Sequence, residues 1–170
     1  MVLGVAFDWG KRKGLDVFIE LAKRLDNEIY QIVLVGTDEN VDRILPKNIV
    51  SIHRTQIQEG LAEIYTAADV FVNPTREENY PTVNMEAIAC GTPVVTFNTG
   101  GSPEMLDGQI DEIVPCDDIS ALERAIRKIC QERKCQRQFC VNRACSFDRN
   151  IKYKEYVALY ESSIKQLEYR

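Results

Sequence analysis

Residues 70–97 read "VFVNPTREENYPTVNMEAIACGTPVVTF", and this stretch decides the architecture. "VFV" at 70–72 and "PVVTF" at 93–97 are short, continuous apolar runs rich in β-branched and aromatic residues, the pattern of strands buried on both faces. Between them, residues 82–90 form a helical segment that opens at Pro81 and is closed by Gly91. A strand, a helix and a second strand in close succession make a βαβ unit, whose two strands lie parallel in one sheet.

The same alternation extends to both sides. "VLGVAF" at 2–7, "IVLV" at 32–35 ended by Gly36, and "NIVSIH" at 48–53 read as further strands. Residues 15–25 place Phe18, Leu21, Ala22 and Leu25 on one helical face, and residues 57–68 do the same with Leu61, Ile64, Tyr65 and Ala68. A short helix at 103–107, a strand near 112–115 and helical segments at 118–133, 135–145 and 149–168 complete the chain. This order predicts an α/β fold, a Rossmann-like doubly wound parallel sheet with helices on both faces. Such sheets bind ligands outside the carboxyl ends of their strands, at helix N-termini.

The 170 residues suit one domain with one sizeable core. No run of 18 apolar residues is present, so no transmembrane segment is expected, and "MVLGVAF" is too short and uncharged for a signal peptide. A net charge of −5 argues against a nucleic-acid surface while leaving room for a local basic patch that holds a small anion. Cys130, Cys135, Cys140 and Cys145 recur every five residues. On a helix each thiol would turn about 140° from the last, so the four cannot converge on one metal ion. Reduced thiols in a cytoplasmic protein are the expectation.

Within the opening stretch, Glu78 and Glu86 bracket a helix start. Pro81 suits the first helical position, which would leave the N–H groups of Thr82, Val83 and Asn84 pointing at an anion. A carboxylate beside such a site can accept two hydrogen bonds from a vicinal diol, as acidic residues do with ribose. The pattern therefore fits a clamp on a phosphate flanked by hydroxyls. It fits a solvated loop acid and a surface helix residue as well, since acids at helix starts also complement the dipole. "KRKG" at 11–14 places Lys11, Arg12 and Lys13 beside the next helix start, where cations could neutralise a diphosphate or simply form a solvated turn. "TGGSPEML" at 99–106 offers glycines for close backbone approach. His53, the one histidine, reads as a polar strand-edge residue, and Trp9 as a loop ring covering the core. No G-x-G-x-x-G follows the first strand and no Walker-type loop is present, which excludes the usual dinucleotide and P-loop sites.

Taken together, "DVFVNPTREENYPTVNMEAIACGTPVVTFNTGGSPEML" at 69–106 closely resembles the signature segment of the group 1, retaining, GT-B-fold glycosyltransferases. Glu78 and Glu86 match that family's Glu-x7-Glu motif, and Glu86 through Val95 match its E-A-x-A-x-G-x-P-V-V element. "LGVAFDWGKRKGLDVFIELAKRL", "IVLVG" and "LAEIYTAADVFVNPT" are similar to its other segments, so the resemblance covers nearly the whole chain. It implies that residues 1–170 are the donor-binding half of a two-domain enzyme. The helix at 150–170 would return to an N-terminal domain outside this chain.

By the resemblance, Glu86 would hold the ribose hydroxyls and Glu78 would contact the transferred sugar. Backbone groups of Asn79, Tyr80, Pro81, Thr82 and Val83 would bind the sugar and diphosphate. Lys13 would stabilise the departing diphosphate, Arg54 and Thr55 would border the base, and Gly36 would lie nearby. The substrate would be a nucleotide-diphosphate sugar with no cofactor and no metal. The acceptor would be a glycan or lipid-linked molecule held by the other domain in surface polysaccharide assembly. The enzyme would be cytoplasmic, with a peripheral place at the inner membrane face open to its full-length form.

Two departures stand out. Ala6–Phe7 occupies the place of a glycine-arginine pair, shifting that phosphate contact to Arg12 or Lys11, and E-N-Y-P replaces E-G-F-G after Glu78. A nucleotide-sugar epimerase, a phosphorylase and a non-catalytic nucleotide-binding module are the alternatives.

Overall fold

The computed structural model describes residues 1–106, 108, 111–131 and 136–168. Its strands are β1 (Val2–Val5), β2 (Ile32–Val35), β3 (Ile49–Ile52), β4 (Val70–Asn73), β5 (Val94–Phe97) and β6 (Glu112–Val114). Its helices are α1 (Leu15–Arg24), α2 (Glu39–Asp42), α3 (Gln58–Ala67), α4 (Thr82–Ala89), α5 (Ile119–Gln131), α6 (Gln136–Ala144) and α7 (Arg149–Glu168). Two 3₁₀ turns, Ser102–Met105 and Cys145–Phe147, follow β5 and α6.

The described strands form one six-stranded sheet in the order β3-β2-β1-β4-β5-β6, with every pairing parallel. This is the doubly wound arrangement, and the strand order reverses between β1 and β4. Chain connections leave the sheet in opposite directions at that point, so a crevice opens there between the loops after β1 and β4.

Side chains alternate strictly between two cores, as the two-residue strand period requires. Val2, Ile32, Leu34, Val70, Val72, Val95 and Phe97 pack on one face, against Leu15, Phe18 and Leu21 of α1 and Leu122, Ile126 and Ile129 of α5. Leu3, Val33, Val35, Phe71 and Val94 pack on the other, with Tyr65 of α3, Ala87 and Ile88 of α4 and Cys140 of α6. Burial on both faces is why the inner strands β1, β2, β4 and β5 read as near-continuous apolar runs, while the edge strands β3 and β6 leave Val50 and Ile113 exposed. Gly4 sits where β1 meets α1, and a Cβ there would come within 2.5 Å of the Phe18 ring.

Trp9 covers the core as expected. Its ring meets Phe18 edge-on with centroids 5.5 Å apart, and its indole N–H donates to the Val35 carbonyl at 3.0 Å. The cysteine series is split among α5, α6 and the turn after it, with Cys140 buried and Cys145 exposed. Cys135 lies outside the described residues. Along α7, Tyr153, Val157, Tyr160 and Ile164 are all exposed. No described helix is long and apolar enough to cross a membrane.

Candidate functional site

The loops at the carboxyl ends of β1, β2, β3 and β4 enclose a cleft of about 720 Å³ at the switch point. Lys13, Arg12, Gly36, Arg54, Thr55, Glu78, Tyr80, Pro81, Thr82, Val83 and Glu86 all line it. Asn79 is the one predicted site residue that does not. Its carbonyl accepts from the Gly101 N–H at 2.8 Å, and its own N–H turns back to the Glu78 carboxylate at 3.2 Å. The glycine pair of the 99–106 segment explains this. Gly100 and Gly101 approach the backbone of Glu78 and Asn79, closer than any Cβ would allow.

Lys13 and Glu78 meet across the switch point, Nζ to Oε2 at 2.5 Å, although 65 residues separate them. Both are about four-fifths buried. Lys13 reaches this place because Gly14, in the left-handed region at φ 75°, starts α1 in a space against the Pro74 carbonyl that a Cβ would overlap. Arg12 lies further out and pairs with Asp8 at 2.8 Å. Arg12 lines the cleft beside Lys13, whereas Lys11 does not.

Arg76 ties these loops together. Its guanidinium forks onto both oxygens of Asp16 in α1 at 2.8 Å, its Nε donates to Asp117 at 2.7 Å, and Nη1 also donates to the Lys11 carbonyl. Its backbone N–H donates to the Arg12 carbonyl at 2.9 Å. The Arg76 hydrogen bonds hold the Asp16 carboxyl below the usual carboxylate range. Replacing Arg76 by Ala is expected to cost about 2 kcal/mol of stability, because charged hydrogen bonds and the Lys11 carbonyl lose their partner together. Urea denaturation measures this, and a change below about 0.5 kcal/mol, the level of an ordinary exposed ion pair, would show the bridge to be idle.

Beyond Glu78 in the same loop, α4 begins one residue later than the proline rule predicts. Pro81, at φ −71° and ψ 110°, is extended and serves as the N-cap rather than the first helical residue. Its carbonyl already accepts the Asn84 N–H at 3.1 Å, so Asn84 is not a donor to the cleft. No side chain caps this helix, and Thr82 and Val83 carry the N–H groups that begin it. Glu86, one turn further on, faces the same cleft and accepts the Tyr65 hydroxyl at 3.1 Å.

Several lining residues escaped the sequence reading. His53, Gln56, Ile57, Gln58 and Leu61 extend the cleft toward β3 and α3. His53 Nε2 lies 2.6 Å from Asp42 Oδ2, and Asp42 Oδ1 accepts the Ser51 hydroxyl at 2.5 Å. The hydrogen bond to Asp42 raises the imidazole above its ordinary range, while Ser51 first and His53 second lower the Asp42 carboxyl. The signal for His53 was its place at a strand's carboxyl end. Phe7 is exposed, with the Arg54 guanidinium 5.6 Å from its ring centre.

A family model described as "Glycosyl transferases group 1" matches residues 2–132. The N,N'-diacetylbacillosaminyl-diphospho-undecaprenol alpha-1,3-N-acetylgalactosaminyltransferase of Campylobacter jejuni is 26% identical over 161 residues, which are 91% of this chain and 43% of that protein. The GDP-mannose-dependent alpha-(1-6)-phosphatidylinositol monomannoside mannosyltransferase of Mycolicibacterium smegmatis is 34% identical over 132 residues, covering 68% of this chain and 35% of that one. Sucrose-phosphate synthase of Thermosynechococcus elongatus superposes with a TM-score of 0.79 at 25% identity, over 97% of this chain and 46% of its own. The chain thus spans less than half the length of each of these proteins.

Proposed function

This chain belongs to the group 1 glycosyl transferases, and on that premise we propose that it is the donor-binding half of a retaining glycosyltransferase. The whole enzyme moves a sugar from a nucleotide-diphosphate sugar to an acceptor hydroxyl. The observation that carries this reading is the cleft itself. It is lined by the Lys13–Glu78 pair, by the uncapped start of α4 and by Glu86.

The arrangement separates three chemical tasks. Lys13 exchanges the Glu78 carboxylate for the diphosphate, and the first N–H groups of α4 meet the same charge, so the leaving group is stabilised as its bond to the sugar breaks. Glu78, released from Lys13, accepts hydrogen bonds from the sugar hydroxyls and orients the ring. Glu86 accepts both hydroxyls of the ribose, and Arg54, Thr55 and Gly36 border the base. The two relatives described above carry lipid portions in their names, diphospho-undecaprenol and phosphatidylinositol. They support a lipid-linked or glycan acceptor, a role in surface polysaccharide assembly, and a place at the inner face of the membrane. The exposed apolar residues of α7 are the surface on which the acceptor-binding half would rest.

Calorimetric titration of the 170-residue chain with uridine, guanosine and adenosine diphosphate sugars tests this. One base class is expected to bind with a Kd of about 0.1 mM, roughly −5.5 kcal/mol, without turnover. Absence of binding by all three would overturn the donor-site reading, and sugar transfer by the chain alone would overturn its being half of a cleft.

A further inference from the structure

Tyr65 belongs to the apolar face of α3 by its spacing, and its ring behaves accordingly. It is 1% exposed and packs edge-on against Phe71 of β4 with ring centroids 5.5 Å apart. Its carbonyl accepts the Thr92 hydroxyl at 2.6 Å, which fixes the end of α3 to the turn between α4 and β5. The hydroxyl is the exception to this apolar setting, since it donates to Glu86 Oε2 at 3.1 Å.

A glutamate has three side-chain torsions, and at a cleft wall most of its orientations point a carboxylate oxygen away from any given ligand. A buried phenol that cannot move holds one oxygen in place. The other oxygen, and the remaining lone pair of the first, keep their capacity to accept from a ligand in the cleft that Glu86 lines. Burial first and the Glu86 charge second push the phenol far above its ordinary ionisation range, so it stays a donor at any working pH.

We propose that Tyr65 is a positioning residue that fixes the Glu86 carboxylate in the orientation needed to accept the vicinal ribose hydroxyls of a nucleoside diphosphate. The inference rests on the donor-site reading above. A purely structural role is the competing explanation, in which Glu86 merely satisfies a buried hydroxyl.

Tyr65→Phe distinguishes the two, because it keeps the ring and its edge contact and removes one donor. The probes are uridine, guanosine and adenosine diphosphates, each paired with its 2′,3′-dideoxy counterpart, titrated calorimetrically against the 170-residue chain. The wild type is expected to prefer the ribose form. Tyr65→Phe should weaken the ribose form roughly fivefold to tenfold, the scale of one ordinary hydrogen bond, and the dideoxy form less than about twofold. An equal loss for both forms, or no loss, overturns the positioning role while leaving the donor site standing. A wild type that binds none of the diphosphates, or binds ribose and dideoxy forms alike, overturns the donor-site reading and this inference with it.

Discussion

Glu86→Ala is expected to remove measurable binding of nucleotide-diphosphate sugars, an affinity loss of about a hundredfold or more. Two hydrogen bonds from a ribose diol to a carboxylate are each worth about 1.5–3 kcal/mol, and each 1.4 kcal/mol is tenfold. An opposing term exists, because Glu86 also repels the diphosphate. Across a solvent-filled cleft that repulsion is of the order of 1 kcal/mol, so the hydrogen-bond loss prevails. The alanine variant has a second consequence: the Tyr65 hydroxyl, buried and bonded to Glu86, would lose its acceptor. That costs about 1–3 kcal/mol of stability. Glu86→Gln is therefore the cleaner probe, since its carbonyl can still accept from Tyr65. Its expected signature is a near wild-type melting midpoint with a tenfold or greater loss of affinity, read by thermal denaturation and calorimetry side by side. A glutamine variant that binds as tightly as wild type would mean that Glu86 serves the fold alone.

The α/β alternation and the parallel sheet were legible because the inner strands β1, β2, β4 and β5 are buried on both faces, so burial alone writes an apolar run. "IVLV" at 32–35 is the clearest instance, with all four residues buried. Periodicity failed where an element is too short to show it. α2 is four residues long, and its evidence was the cap, since Asp38 Oδ1 accepts the N–H groups of Asn40 at 2.9 Å and Val41 at 2.8 Å. At Pro81 the fixed φ fits both the N-cap and the first helical residue, and only ψ, set by the loop's path, separates them. The site was half legible. Spacing left Glu78, Glu86 and Lys13 open and the family resemblance singled them out, but that Lys13 and Glu78 meet follows from strand order, because β1 and β4 are neighbours and their loops face each other. Tyr65 and His53 were hidden for another reason. Each is a residue with an ordinary structural role whose polar atom meets a partner that no local pattern specifies.

Gly100→Ala is expected to cost about 3 kcal/mol of stability and to abolish donor binding, a large effect for a residue that does not line the cleft. Gly100 has φ 48°, in the left-handed region, which costs an alanine about 1–2 kcal/mol. The added Cβ would stand 1.7 Å from the Glu78 carbonyl oxygen and 2.9 Å from its carbon. Backbone cannot rotate aside as a side chain can, so one loop must move by more than an ångström to reach ordinary contact. The turn after β5 is held by the Gly101 N–H on the Asn79 carbonyl at 2.8 Å and by the Thr99 hydroxyl on the Thr75 carbonyl at 2.8 Å. Moving either loop breaks this clasp. The displacement would draw Glu78 from Lys13 and redirect residues 79–81, which set the start of α4. Gly108→Ala is the matched control, because Gly108 also has a positive φ, 71°, while a Cβ there meets nothing within 4 Å. It should cost only the conformational strain, about 1–2 kcal/mol, and leave binding unchanged. Urea denaturation and calorimetry on the two variants separate strain from displacement. If Gly100→Ala proves as mild as Gly108→Ala, the turn after β5 does not hold the loop between β4 and α4 in place, and Glu78 owes its position to Lys13 and Arg76 instead.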